Sequence, residues 1–447
     1  MGGVSTLSAD QTHAIFDLFR ADAESLERSF PGEQGARQPV HTVYGGAHLF
    51  KRDIASKFGR LALASLAEYA PDAESLRQAM GLAGDLAHAQ RVRDRVARKL
   101  ADQAVEDFRI DFEDGYGHRP EAEEDAHAEA SARELASGAR EGVLPAFIGL
   151  RIKALSREAG ARALRTLDRF ITTLANELGG SLPPGFVVTL PKVQSASQVA
   201  ALRVALELLE GALGIEPGAI GVELMVEQTQ ALFGPDGRLA LPGLKDAAQG
   251  RLRAAHLGAY DFASALGIAA SEQDLLHPAC DFARLVMQVS LAGSGVFLVD
   301  GATNVLPVGP HRAPVGDTQR SDNRAAVHAA WQKHFNHVRR AMRMGFYQGW
   351  DLHPAQLVAR YAAVISMFDE GREAATARLA NFVEQAARAT MVGSVFDDAA
   401  TGQGLLNFFL RGRACGALTD ADVAATGLRE GELEARSFAA IVRARRL

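Results

Sequence analysis

The sequence predicts an α/β fold: a closed (β/α)₈ barrel with an elongated helical segment after strand 1 and a helical C-terminal extension. Two observations carry this. Eight short apolar or alternating segments recur, at 41–45, 108–112, 146–152, 186–191, 220–226, 254–258, 295–299 and 348–352. Between several of them lie apolar residues at helical spacing, as with Val199, Leu202, Leu206 and Leu209. Strands alternating with helices favour a parallel sheet covered by helices, and eight in sequence favour closure.

The spacing is uneven. The first two strands are separated far more widely than a usual barrel connection, so 51–100 reads as an inserted or elongated helical region. The stretch 121–141 is charged and alanine-rich, which predicts a solvated helix. Beyond His353 the apolar spacing is helical and broken near 393–404. The expected division is a barrel over 1–355 and a helical cap or oligomerisation region over 356–447.

A chain of 447 residues that is 47% hydrophobic buries a sizeable core, so stability calls for neither disulfide nor structural metal. The formal charge of −6 argues against a nucleic-acid binder, which would present a basic face. Cys280 and Cys415 form no Cys-x-x-Cys and read as reduced thiols. No apolar run reaches the roughly 18 residues of a membrane span. Met1–Thr6 formally fits a myristoylation pattern, but Ser8-Ala-Asp-Gln11 fits a helix capping box better. A cytoplasmic location is the expectation.

In a parallel barrel the active site lies where the strands end at their C-terminal side. Here strand 2 ends in Asp111-Phe-Glu-Asp114, strand 3 in Arg151 and Lys153, and strand 4 in Pro191-Lys192. Strand 5 runs into Glu227, strand 6 into Asp261, strand 7 into Asp300, and strand 8 into Asp351-Leu-His353. A dry strand end rarely tolerates unpaired charge, whereas a hydrated metal with an anionic substrate would pair both signs.

Glu227 and Asp261 suit a hard cation, with no cysteine nearby and no zinc-type histidine spacing; Mg²⁺ is favoured and Mn²⁺ is next. Arg151 could clamp a carboxylate or enolate oxygen, or form a structural ion pair with Glu113. Asp111 and Glu113 share one side of their strand. Asp111 is a candidate substrate-binding residue, and Glu113 could bind metal-held water or orient Arg151. Asp114 reads as structural.

Lys192 is a candidate substrate-binding residue; a Schiff-base role and an ion pair inside the barrel both remain open. His48 could be a general base or a loop and helix-cap residue. His353 is expected to bond backbone beside Pro354. No Gly-x-Ser-x-Gly elbow, Walker loop, His-Glu-x-x-His or clean dinucleotide glycine fingerprint is present.

Six segments in order resemble the HpcH/HpaI aldolase and citrate lyase β-subunit superfamily. They are Arg109-Ile-Asp-Phe-Glu-Asp114, Gly149-Leu-Arg-Ile-Lys153, Leu190-Pro-Lys-Val193, Leu224-Met-Val-Glu227, Leu257-Gly-Ala-Tyr-Asp261 and Leu352-His-Pro-Ala-Gln356. The resemblance implies a Mg²⁺-dependent carbon–carbon lyase or aldolase, trimeric or hexameric, working through an enolate of a 2-oxo acid such as pyruvate or glyoxylate. It implies that Glu227 and Asp261 ligate the metal, Arg151 stabilises the enolate or carboxylate, and Glu113 supports them.

The chain departs from the pattern in three places. Gln228 stands between the metal glutamate and Thr229, Lys153 replaces an asparagine, and the segment after strand 1 is long. The last removes the basis for carrying over a coenzyme A site. An acyl-CoA lyase of the malyl-CoA or citramalyl-CoA type is the alternative, with Lys51 and Arg52 as possible phosphate contacts. A non-catalytic metabolite-binding barrel is the second alternative. Gly393-Ser-Val-Phe-Asp-Asp398 loosely resembles a lid motif of related lyases, making Asp397 or Asp398 an acidic candidate or a helix N-cap.

Overall fold

The computed structural model describes residues 6–32, 37–384, 390–392, 395–397, 399–429 and 431–446. Helix α1 (Ala9–Ser29) precedes the barrel, and its Ser8-Gln11 capping box forms as the sequence predicts. The pattern at Met1–Thr6 lies outside the described residues except for Thr6. The barrel strands are β1 (His41–Gly46), β2 (Asp107–Asp111), β3 (Phe147–Arg151), β4 (Val187–Leu190), β5 (Gly221–Val226), β6 (Leu252–Leu257), β7 (Phe297–Ala302) and β8 (Gln348–Asp351). All eight expected strands are present and differ from expectation only at their ends.

Each strand pairs in parallel with the next, and β8 closes on β1 with His41 opposite Gly349 and Thr42 opposite Trp350. The elongated segment after β1 is α2 (Ile54–Tyr69), α3 (Ala73–Met80) and α4 (Leu86–Gln103). The ring continues with α5 (Glu121–Glu141), α6 (Gly160–Glu177) and α7 (Ala196–Leu213), then α8 (Thr229–Leu232) and α9 (Leu241–Ala247). After β6 come α10 (Ala259–Ala265) and α11 (Pro278–Leu291), and α12 (Gly316–Arg343) leads into β8.

The C-terminal region holds α13 (Gln356–Glu384), a two-stranded antiparallel ribbon of β9 (Thr390–Val392) and β10 (Val395–Asp397), α14 (Ala399–Ala414), α15 (Asp420–Ala424) and α16 (Phe438–Arg446). The first turns of α13, from Gln356 to Ser366, are wholly buried. Tyr361 bonds the Ala104 carbonyl at 2.9 Å, and α13 packs on α12 and α4. The region after 355 therefore begins inside the barrel's own helical layer. No helix among the described residues is long and apolar enough to cross a membrane.

The expectation of a solvated helix over 121–141 requires correction. Helix α5 buries Glu124 and Asp125. Thr166 donates to Glu124 at 2.6 Å, and Arg165 donates to Asp125 at 2.6 Å, both across to α6. Its charges form a lattice between two helices, and the intervening alanines let those helices approach closely.

Side chains alternate along each strand. Outward-pointing Phe108, Ile110, Val188, Leu190, Val222 and Leu224 are buried in the apolar cluster shared with the helices. The interior holds charge. Arg109 on β2 donates to both oxygens of Glu223 on β5, at 2.8 and 2.7 Å. Because β2 and β5 are not neighbours, this bond spans the barrel.

Arg109 also pairs with Asp107, whose other oxygen accepts from Thr42 at 2.8 Å, while Thr189 donates to Glu223 at 2.8 Å. Gly149 makes room for the arginine: a Cβ there would lie 3.1 Å from Arg109 Cδ and 2.5 Å from the Val187 carbonyl. Removing one partner of a buried pair leaves a charge uncompensated, at a cost of about 3–5 kcal/mol. Glu223→Ala is therefore expected to lower stability by about that amount. Urea unfolding of the variant beside the parent checks it, and a midpoint equal to the parent's would contradict the role given to this network.

Candidate functional site

The site is built on the turn after β2. Asp111, fully buried, accepts both parallel N–H bonds of Arg151, at 2.6 and 2.5 Å. Its oxygens also accept the Glu113 N–H at 2.9 Å and the Gly115 N–H at 2.8 Å. Such a carboxylate has no capacity left for a ligand. Expected from sequence as a substrate-binding residue, Asp111 here fixes the β2 turn and holds Arg151.

Arg151 is also stacked, with its guanidinium carbon 4.7 Å from the ring centre of Tyr44 and 5.5 Å from that of Trp350. Its remaining nitrogen, Nη1, is buried and makes no hydrogen bond to any described residue. Glu113 and Asp114 oxygens lie 3.4 and 3.5 Å from it. A stacked, bidentately held arginine with one open donor is a preorganised oxyanion ligand.

Across the mouth, Glu227 follows β5 and is 1% exposed. Its Oε1 accepts the backbone N–H of Lys192 at 2.6 Å. Its Oε2 leaves no space for a side chain at residue 258, because a Cβ on Gly258 would fall 2.5 Å from it. Asp261 stands in the first turn of α10 with its side chain 42% exposed. Burial, reinforced by the charge of Asp261, pushes Glu227 up to about 8 despite Lys192 and Arg151 pulling the other way.

Lys192 has φ +51°, a left-handed backbone that non-glycine residues adopt at a cost. That conformation aims its N–H at Glu227 while its ammonium bonds Glu113. The ammonium lies 3.3 Å from Asp114 and 3.7 Å from Asp261. Burial works against the charged form, but the Glu113 hydrogen bond and the Glu227 charge outweigh it and hold the amine protonated. Glu113 is raised by burial and by its contact with Asp114.

The structure thus gathers Arg151, Glu113, Lys192, Glu227 and Asp261, with Asp114 at the rim. His48 is placed differently: its ring lies 5.6 Å from Tyr116 and 6.2 Å from His127, and burial lowers its pKa. Lys153 is turned away, donating to the Phe112 carbonyl at 2.7 Å and pairing with Glu124 at 3.3 Å. Asp300 is occupied by Arg284, and Asp351 by Arg360 and His334. His353 accepts the Ala355 N–H as expected, and Gln356 ties the β8 turn to the Thr303 carbonyl at 2.8 Å.

Asp397 belongs to β10, and Asp398 lies outside the described residues. Tyr44, Trp350 and Gly258 complete the site without having been singled out from sequence. Their one signal is position: each stands at the C-terminal end of a strand.

The donor set fits a hard divalent cation. Glu227 and Asp261, beyond adjacent strands, offer oxygen only, and among the described residues no group of three or more His, Cys, Asp or Glu gathers at metal-binding spacing. Two carboxylates leave the other positions to water and an oxygen-bearing ligand, the usual division at Mg²⁺ sites.

Fold and site together define a (β/α)₈ barrel with an acidic mouth and a stacked arginine. The chain belongs to the family described as Domain of unknown function (DUF6986), which matches residues 18–441. No curated protein matches it. Among solved structures it is similar to a citrate lyase from Burkholderia xenovorans LB400, at 20% identity and a TM-score of 0.55, covering 88% of this chain and 96% of that one. It is also similar to CitE from Mycobacterium tuberculosis, at 18% identity and a TM-score of 0.47 over 86% and 99% of the two chains. Malate synthase from Haloferax volcanii follows, at 16% identity and 0.47 over 91% and 98%. The first of these shows the shared fold.

The buried carboxyl sets a pH dependence. Because Glu227 in the folded, metal-free chain titrates near 8 against an ordinary value near 4.5, the folded form holds its proton more tightly than the unfolded form. Stability from this group is complete at low pH and falls as pH rises from about 4.5 to about 8. Glu227→Gln is expected to raise the Tm of the metal-free protein at pH 8.5, with the gain vanishing near pH 5. Thermal melts in chelator across that range check it; a gain independent of pH would refute the assignment.

Proposed function

We propose that the protein is a divalent-metal-dependent carbon–carbon lyase of the aldolase type, acting through an enolate on a 2-oxo acid such as pyruvate or glyoxylate. The observation that carries this reading is the open Nη1 donor of buried Arg151 beside the carboxylates of Glu113, Glu227 and Asp261. Mg²⁺ is the expected ion and Mn²⁺ the next. Held by Glu227 and Asp261, it would supply Lewis acidity toward the carbonyl and carboxylate oxygens of the oxo acid.

The chain's own residues do the rest. Arg151 Nη1 donates to the oxygen on which negative charge develops as the carbon–carbon bond breaks. Glu113, its pKa raised by burial and by Asp114, accepts the hydroxyl proton of a hydroxy-oxo acid and returns it to the enolate carbon. Lys192 holds Glu113 in place through its ammonium and Glu227 through its backbone N–H. His48, against Tyr116 and His127, takes no part in this scheme.

A free oxo acid is favoured over an acyl-CoA by one observation. Lys51 pairs with Glu134 at 3.2 Å, and Arg52 pairs with Glu141 at 3.1 Å, so both cations after β1 are engaged with α5.

Incubation with Mg²⁺ and a panel of hydroxy-oxo acids is expected to release pyruvate or glyoxylate, with activity lost in chelator. Arg151→Lys is expected to lower kcat/KM about 10²–10³-fold, the usual loss of one oxyanion donor, while Mg²⁺ binding by calorimetry is unchanged. Glu227→Gln is expected to abolish that binding. Turnover of CoA thioesters alone would establish the acyl-CoA reading instead, and tight oxo-acid binding without any turnover would establish a non-catalytic barrel.

A further inference from the structure

Helix α1 carries an apolar stripe that no described residue buries. At 3.6 residues per turn Ile15, Phe19 and Leu26 fall on one line, with Phe16 and Leu18 flanking it, while Asp10, Asp17 and Glu24 lie on the opposite side and Asp22 stands between Leu18 and Ile15. Such a pattern normally marks the face buried against a core. Here no residue of the helix is buried: Ile15 is 48%, Leu18 82%, Phe19 50% and Leu26 59% exposed. In folded proteins most helical stability comes from packing of an amphipathic face rather than from propensity, so an uncovered stripe calls for a partner.

A second uncovered apolar surface lies on the same chain. On α11, Phe282, Leu285 and Val289 follow one another at i, i+3 and i+7, exposed by 51%, 53% and 77%. Phe233 stacks on Phe282 with centroids 6.2 Å apart and extends the patch, as do Leu239 and Leu276. The arm is anchored beside this patch: Gly32 donates to the Gly293 carbonyl at 2.8 Å, just beyond the end of α11, and Lys245 lies over the Phe30 ring. Yet α1 leaves its own α11 bare.

We propose that α1 is an exchanged arm, its stripe seated on the α11 patch of a second copy of this chain, with the reciprocal contact completing a dimer. Three observations favour this occupant. The two faces are both apolar, both helical at the i, i+3 spacing, and present on every copy, which is what a self-complementary interface needs. Covering these eleven half-exposed side chains removes on the order of 1,000 Å² from water, and reciprocity doubles it, reaching the 1,200–2,000 Å² of stable interfaces. Helix α1 as a whole carries Asp10, Asp17, Asp22, Glu24 and Glu27 against Arg20 and Arg28, a net negative charge that an anionic lipid surface repels.

Analytical ultracentrifugation of the full chain at micromolar concentration is expected to give a dimer or a multiple of it. Leu18→Asp with Phe19→Asp, and separately Leu285→Asp with Val289→Asp, are each expected to halve the mass, with unchanged circular dichroism of the barrel. A mixture of Leu18→Cys and Leu285→Cys proteins is expected to cross-link between copies on oxidation. A monomeric parent, variants of unchanged mass, or a Leu18→Cys, Leu285→Cys double variant that closes within one chain would each overturn the proposal. So would flotation of the parent, but not the α1 variant, with phosphatidylcholine–phosphatidylserine vesicles.

Discussion

A buried guanidinium is tolerated only where its charge and its donors are met, and the mouth of this barrel is arranged around meeting those of Arg151. Asp111 supplies two acceptors and is itself held by the N–H groups of Glu113 and Gly115. That turn admits only glycine at 115, where a Cβ would stand 2.6 Å from Asp111 Oδ2. Tyr44 and Trp350, their ring centres 4.4 Å apart, lie together against the guanidinium. The same turn delivers Glu113 and Asp114 to Lys192, so arginine, carboxylates and lysine are positioned by one local geometry.

Two charged layers occupy the barrel, and they differ in how completely they are satisfied. Below, Arg109, Asp107, Glu223, Thr42 and Thr189 close on one another, and Glu223 is held well below the usual carboxylate range because its cationic neighbours overcome burial. Above, Arg151 has an open donor, Lys192 adopts a strained backbone, and Glu227 is pushed up to about 8. A closed polar network specifies structure, whereas an incompletely satisfied one at a strand-end mouth is where function is found. The contrast separates a structural ion-pair core from a site even though both contain arginine and acid.

The barrel was legible because strand alternation and helical spacing are local signals, and strand-end position then selected Arg151, Glu113, Lys192, Glu227 and Asp261. What escaped depends on partners distant in sequence. Nothing in 121–141 reveals that Glu124 and Asp125 face Thr166 and Arg165 some forty residues on. Alternation put Asp111 and Glu113 on one side of β2 but could not show that Asp111 is saturated by Arg151. Lys192 carries a left-handed φ that only the surrounding fold imposes. Tyr44 and Trp350 read as ordinary strand aromatics until β1 and β8 close around Arg151.

The charge inventory of the mouth explains why a divalent ion suits it. Among the described residues Asp111, Glu113, Asp114, Glu227 and Asp261 face only Arg151 and Lys192, so ionising every carboxylate leaves a negative surplus there. Without a further cation that surplus disfavours ionisation, and the groups that burial raises most directly are Glu227 and Glu113. These are the carboxyls to which the lyase reading gives metal ligation and proton transfer. A divalent charge beside Glu227 would favour its ionised form and relieve the demand on the Lys192 ammonium, leaving that amine to position Glu113. Lys192 and a metal would thus act on one cluster by the same electrostatic rule: the amine at a fixed reach, the ion with ligand positions left over for an oxo acid.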